Sequence, residues 1–195
     1  MASPRVLVVD NGSLSVKALC HRLESLGTVA DVVPCTEVPR KLDGGHQAIV
    51  LSGTKVRAYD LEHYKPLIEL YRDADVPVLG ICGGMHIMGT AAGARLVPGE
   101  QRVGNHRVHL DDRQDVFAAA DRTVSLFQRH TLYLRQAPPG FRVIGWSEDC
   151  PVEFIRSEDG RLIGSQAHLE FRRDGLAILR GFVRLIDTRP RNLTW

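Results

Sequence analysis

Cys82 stands in the run Gly80-Ile81-Cys82-Gly83-Gly84, a G-x-nucleophile-x-G pattern with cysteine where a hydrolase elbow carries serine. The stretch 76–81 before it is short, apolar and β-branched, which predicts a buried strand. The stretch 84–94 after it, rich in Met, Ile, Ala and small residues, predicts a helix packed closely on a sheet. A thiol at a helix start is favoured as thiolate by the positive end of the helix, and the Gly83 N–H there can face a developing oxyanion. Such a nucleophile needs a base and an orienting group from elsewhere in the chain.

Of eight histidines, His168 has the best context, with Glu170 two residues on in "QAHLE". Residues two apart on a strand share a face, so a strand over 162–171 lines up Gln166, His168 and Glu170, with Ser165, Ala167 and Leu169 opposite. Glu170 accepting from one imidazole nitrogen leaves the other for the thiol, so Cys82, His168 and Glu170 make a complete nucleophile, base and orienter. Taken singly, each part has a plainer explanation. A cysteine between glycines is as often a small core residue, and His-x-Glu is most often a half-exposed polar face. Their combination with the elbow points to chemistry.

The elements that must position these groups follow from the hydrophobic pattern. An apolar strand over 5–9 runs into the turn cluster Asp10-Asn11-Gly12. Val16, Leu19, Cys20, Leu23 and Leu26 have helical spacing over 15–26, with Gly27 as C-cap. Further strands are predicted over 28–33 and 48–51, the latter ending at Ser52-Gly53, and a helix over 61–72 with Pro66 awkwardly inside it. This alternation predicts an α/β fold, an open and mostly parallel sheet flanked by helices, flavodoxin-like in character. Functional groups gather beyond the carboxyl ends of such strands, where Asp10, Ser52-Gly53 and Cys82 all fall. Asp10 alone does not make a receiver-type acidic pocket, since "IVLSGT" offers no acceptor aspartate.

The second half differs. Shorter strands over 102–110, 123–127, 142–146 and 152–156, separated by turn signals, predict an antiparallel extension of the sheet. A helix over 175–186 closes the chain. With 195 residues, and no repeat, linker or low-complexity run, residues 1–195 make one domain. A net charge of +2 gives no reason to expect a nucleic-acid or membrane partner. Arg172, Arg173, Arg189 and Arg191 are read as solvated surface. The start "MASPRVLVVD" has no leader pattern and no run is long enough to span a membrane, so a cytoplasmic protein is expected. Cys20, Cys35, Cys82 and Cys150 lack CxxC pairing or histidine at ligand spacing, so free thiols and neither metal nor cofactor are expected.

The "GICGG" elbow and late "QAHLE" motif resemble the class I, triad-type glutamine amidotransferases, whose patterns are G-[IV]-C-x-G and Q-x-H-x-E. The resemblance runs from "VLVVDNG" to the closing helix, and within the family it is greatest to the stand-alone glutaminase subunits of GMP synthases. It implies Cys82 as nucleophile, His168 as base and then acid, and Glu170 as orienter. The chemistry implied is a γ-glutamyl thioester, release of ammonia, and hydrolysis. The family's "SGGP" oxyanion strand stands here as Ser52-Gly53-Thr54-Lys55, so Gly53 and Thr54 join Gly83 as oxyanion candidates. Thr54 replaces a glycine, and a β-branched residue resists the unusual φ/ψ that glycine permits there. His86 replaces the usual Gln four residues after the nucleophile; it shares a helix face with the thiol and is either a substrate contact or a packed histidine. Arg129-His130 replaces the usual Ser-His facing the substrate's α-groups, Gln166 joins the substrate-binding candidates, and Leu169 replaces proline. The leading expectation is a glutaminase subunit feeding ammonia to a separate synthetase, since no Walker motif occurs. The alternatives are a free-standing Cys-His-Glu hydrolase or acyltransferase for another amide or γ-glutamyl compound, and a non-enzymatic module.

Overall fold

The computed structural model describes residues 2–56 and 59–187. The first half alternates as expected: β1 (Arg5–Asp10), α1 (Val16–Ser25), β2 (Val29–Pro34), β3 (Ala48–Leu51), α2 (Lys65–Asp73), β4 (Val78–Ile81) and α3 (Gly83–Ala91). The second half is β5 (Leu96–Leu110), a 3-10 turn at Asp115–Phe117, β6 (Thr123–Leu134), β7 (Phe141–Trp146), β8 (Phe154–Ser157), β9 (Leu162–Ser165) and α4 (Arg172–Asp187). All strands join one sheet in the order β2-β1-β3-β4-β9-β8-β7-β5-β6. From β2 to β9 the neighbours are parallel, and from β9 to β6 they are antiparallel. The α/β sheet with an antiparallel extension is the architecture expected.

Period-two alternation sorts β1 between two layers. Val6 and Val8 pack with Leu19 and Leu23 of α1 and with Leu179 and Phe182 of α4. Leu7 and Val9 pack on the other face with Leu67 and Tyr71 of α2 and with Ile87 and Met88 of α3. β3 and β4 are buried at every residue, as parallel strands covered on both faces must be. Among the described residues no helix is long and apolar enough to cross a membrane.

Several boundaries move. α2 begins at Lys65 rather than at 61, which places Pro66 in the first turn, where its missing N–H breaks no helical bond. α3 stops at Ala91, before Gly93 at φ 92°, and α4 starts earlier, at Arg172. β5 and β6 form a much longer ribbon than 102–110 and 123–127, with a register shift between Pro98 and Arg102. The strand expected over 162–171 stops at Ser165. Beyond it, the Gln166 N–H donates to the Glu153 carbonyl (2.8 Å) and the His168 N–H to the Phe127 carbonyl (2.9 Å), so the segment crosses to β6 as a single bridge. Arg172 and Arg173 are exposed; Arg189 and Arg191 lie outside the described residues.

Candidate active site

Cys82 is the residue between β4 and α3, at φ 50° and ψ −103°, a conformation strained for any residue with a Cβ. The turn is this tight because glycines let the helix press onto the sheet: a Cβ on Gly84 would strike the Leu51 carbonyl, and one on Gly83 would strike Thr54. The Cys82 N–H donates to the Ser165 carbonyl (2.6 Å), and the Cys82 carbonyl accepts the His86 N–H (3.0 Å). The thiol residue is thereby fixed both to β9 and to the first turn of α3.

The segment after β9 keeps a two-residue alternation without a continuous ladder. Ala167 and Leu169 enter the core, while of Gln166, His168 and Glu170 on the other side only His168 reaches the cleft wall. His168 Nδ1 lies 2.8 Å from Glu170 Oε1. Burial by itself would depress the imidazolium, but hydrogen bonds to Cys82 and Glu170 and their charges prevail, pushing the His168 pKa up to about 10. Glu170 Oε1 also accepts the Ser15 hydroxyl, and its backbone carbonyl accepts Arg22 Nε (3.2 Å).

The Ser52-Gly53-Thr54 turn abuts this cluster. A Cβ on Gly53 would sit 3.3 Å from His168 Cε1 and 3.8 Å from Cys82 Cβ. Asn11 holds the turn: its N–H donates to Ser52 Oγ and its Nδ2 to the Ser52 carbonyl, both at 2.9 Å. Thr54 is not among the described residues with positive φ, so it sits there without left-handed strain, its hydroxyl accepting the Val56 N–H (3.2 Å). The Thr54 N and the Gly83 backbone lie side by side.

His86 is buried with both ring nitrogens engaged, Nδ1 with Tyr59 Oη and Nε2 with Gln166 Oε1, each at 2.9 Å. Burial drives its pKa down to about 4, against the raising effect of the Gln166 bond. His130 is similarly pushed down to about 4, by burial first and then by the Arg102 charge. Its Nδ1 meets the Leu132 carbonyl at 3.0 Å. A cavity of about 530 Å³ opens over Cys82, lined also by Thr54, His86, Arg129, His130 and His168. Gly53, Gly83, Gln166 and Glu170 stand behind that lining.

Ser13, Ser15 and Tyr59 line the same cavity, and sequence reasoning did not find them. The two serines had a signal, the turn following the carboxyl end of β1. Tyr59 had none. Asp10 caps that turn, its Oδ1 accepting the Gly12 (2.8 Å) and Ser13 (3.2 Å) N–H groups.

A family model described as glutamine amidotransferase class-I matches residues 7–184. The chain belongs to that family. This amidotransferase is 27% identical over 184 residues to the separate glutamine-hydrolysing GMP synthase subunit of Pyrococcus furiosus, covering 92% of this chain and 97% of that one. It is 30% identical over 167 residues to the glutamine-hydrolysing GMP synthase of Clostridium perfringens, covering 85% of this chain and 33% of that protein. It therefore spans about a third of the length of the longer GMP synthase and nearly all of the separate subunit. A crystal structure from Thermoplasma acidophilum, of a protein described as a GMP synthase subunit, superposes with a TM-score of 0.83 at 22% identity, covering 96% of each chain. The amidotransferase fold is thus shared well beyond the reach of close sequence similarity.

Proposed function

We propose that this chain is a glutaminase subunit that hydrolyses the side-chain amide of glutamine and passes ammonia to a separate synthetase. The observation that carries the reading is Cys82 on a strand-to-helix elbow beside His168, whose Nδ1 is held 2.8 Å from Glu170. In this reading the thiol proton already resides on His168, as its raised pKa requires, and the sulfur attacks the amide carbon. The tetrahedral oxyanion forms against the Gly83 and Thr54 N–H groups. The imidazolium then protonates the departing nitrogen, the C–N bond breaks, and ammonia leaves a γ-glutamyl thioester. His168 next takes a proton from water, whose oxygen attacks the thioester, and glutamate and the thiol are restored. Arg129 and His130 at the cavity wall are suited to the substrate's α-groups. The similarity to the glutamine-hydrolysing GMP synthase subunit of Pyrococcus furiosus supports a synthetase partner.

The test is ammonia release from glutamine, with and without a separate GMP-synthase-type synthetase subunit added, in the native protein and in Cys82→Ala. Release that persists at the native rate in Cys82→Ala overturns the reading. One observation favours a second reading, hydrolysis of another amide or γ-glutamyl compound: His86, where the family carries Gln, has both ring nitrogens occupied by protein groups. A substrate panel in which glutamine is inert and another amide turns over would establish it.

A further inference from the structure

A line of hydrogen bonds reaches the thiol from the side of α3. Tyr59 Oη meets His86 Nδ1 at 2.9 Å, His86 Nε2 meets Gln166 Oε1 at 2.9 Å, and Gln166 Nε2 meets Cys82 Sγ at 3.9 Å. Its two inner members are shut off from solvent, Gln166 at 0% and His86 at 2% exposure. Burial raises the Tyr59 pKa well above the ordinary phenol range, so the phenol keeps its proton and donates. His86 is neutral and carries one ring proton. With Nδ1 accepting from Tyr59, that proton must sit on Nε2 and point at the Gln166 carbonyl oxygen. The Gln166 amide is then oriented with its NH₂ toward the sulfur. Rotated the other way, the amide would set a carbonyl oxygen against a thiolate, acceptor against anion.

We infer that Tyr59, His86 and Gln166 are positioning residues: a relay in which Tyr59 selects the His86 tautomer, His86 fixes the Gln166 amide, and Gln166 directs an N–H at the Cys82 sulfur. The inference rests on Cys82 being the nucleophile of the proposed reaction. Its consequence is a second donor to the sulfur, separate from His168, which holds the sulfur's direction and supports its negative charge before substrate arrives.

The experiment uses the full chain and two readouts that need no substrate. Ring-nitrogen chemical shifts of ¹⁵N-labelled histidine report the tautomer of His86, and peptide masses report the rate at which iodoacetamide alkylates Cys82. The relay requires the Nε2–H tautomer in the native protein and a mixed tautomer in Tyr59→Phe. It requires alkylation about three- to tenfold slower in Tyr59→Phe and at least about tenfold slower in Gln166→Glu, which replaces the donor by an anion. The double variant should alkylate no slower than Gln166→Glu alone, because both act through one amide. A native Nδ1–H tautomer, native rates in folded Tyr59→Phe, or additive effects would each overturn it. Iodoacetamide tests the thiol whatever the natural substrate is. A protein inert to glutamine that still gives these rates loses the proposed function and keeps the relay.

Discussion

Glu170 Oε1 lies 2.8 Å from His168 Nδ1 and also accepts the Ser15 hydroxyl, so one carboxylate oxygen orients the imidazole and ties it to the loop after β1. Nδ1 must then carry a proton, which leaves Nε2 for the Cys82 side. The carboxylate is 2% exposed, so its charge acts on the imidazolium with little screening by water.

Replacing that charge has a defined outcome. Glu170→Gln keeps the shape but removes the anion, and kcat for the proposed hydrolysis should fall by roughly 10²–10⁴-fold with a smaller change in KM. Steady-state kinetics with glutamine read this directly.

The same pair sets a pH dependence of stability. The folded-state pKa of His168 is raised to about 10, from about 6.5 in an unfolded chain. Its contribution is therefore complete below about pH 6.5 and is lost as pH rises toward 10. Denaturant midpoints measured from pH 6 to 10 should fall in the native protein, and fall less steeply in Glu170→Gln.

His130 has the opposite sign. Held near 4 in the fold, it stays neutral while the unfolded chain takes up a proton below about 6.5, so stability is lost as pH drops from 6.5 toward 4. His130→Asn should flatten the acid side of a melting-temperature profile. An unchanged slope would remove His130 from the account.

The backbone at Cys82 predicts an inversion of the usual alanine and glycine order. At φ 50° and ψ −103°, alanine keeps the Cβ strain that glycine avoids. Cys82→Gly should therefore unfold with about 1 kcal/mol more resistance than Cys82→Ala. Parallel urea titrations of the two variants decide it.

Away from the thiol, Arg102 Nη1 donates to Glu153 Oε1 at 2.7 Å, with Ser147 Oγ at 2.7 Å and Gln128 Nε2 at 2.8 Å on the same buried carboxylate. Arg102→Met leaves that carboxylate with an unpaired charge in the interior and should cost about 3–5 kcal/mol. Replacing Glu153 by Met as well should recover only part of the loss in chemical denaturation, because the buried Ser147 hydroxyl and Gln128 amide then lose their acceptor.

What could be foreseen and what could not divide along physical lines. The β4–α3 elbow was legible because an apolar β-branched run, a cysteine and three glycines are neighbours in the chain, and local sterics leave them few alternatives. The alternating sheet and its antiparallel extension were legible because hydrophobic periodicity is also a short-range property. Pro66 misled only through the position of a helix start, and the full length of the β5–β6 ribbon was not legible because it rests on pairing between residues far apart in the chain. The "QAHLE" alternation held, with Ala167 and Leu169 in the core and Gln166, His168 and Glu170 on the side of the thiol, while the strand assumed to carry it ended at Ser165, because the backbone partner of His168 lies on β6 rather than along β9. By itself the sequence determined which residue types stand two apart and which apolar faces must be covered. Only the tertiary structure decided that His86 and Gln166 meet Tyr59 and the thiol in one line, because those hydrogen bonds join residues 27, 80 and 84 positions apart, and no local pattern specifies which distant donors a fold will bring together.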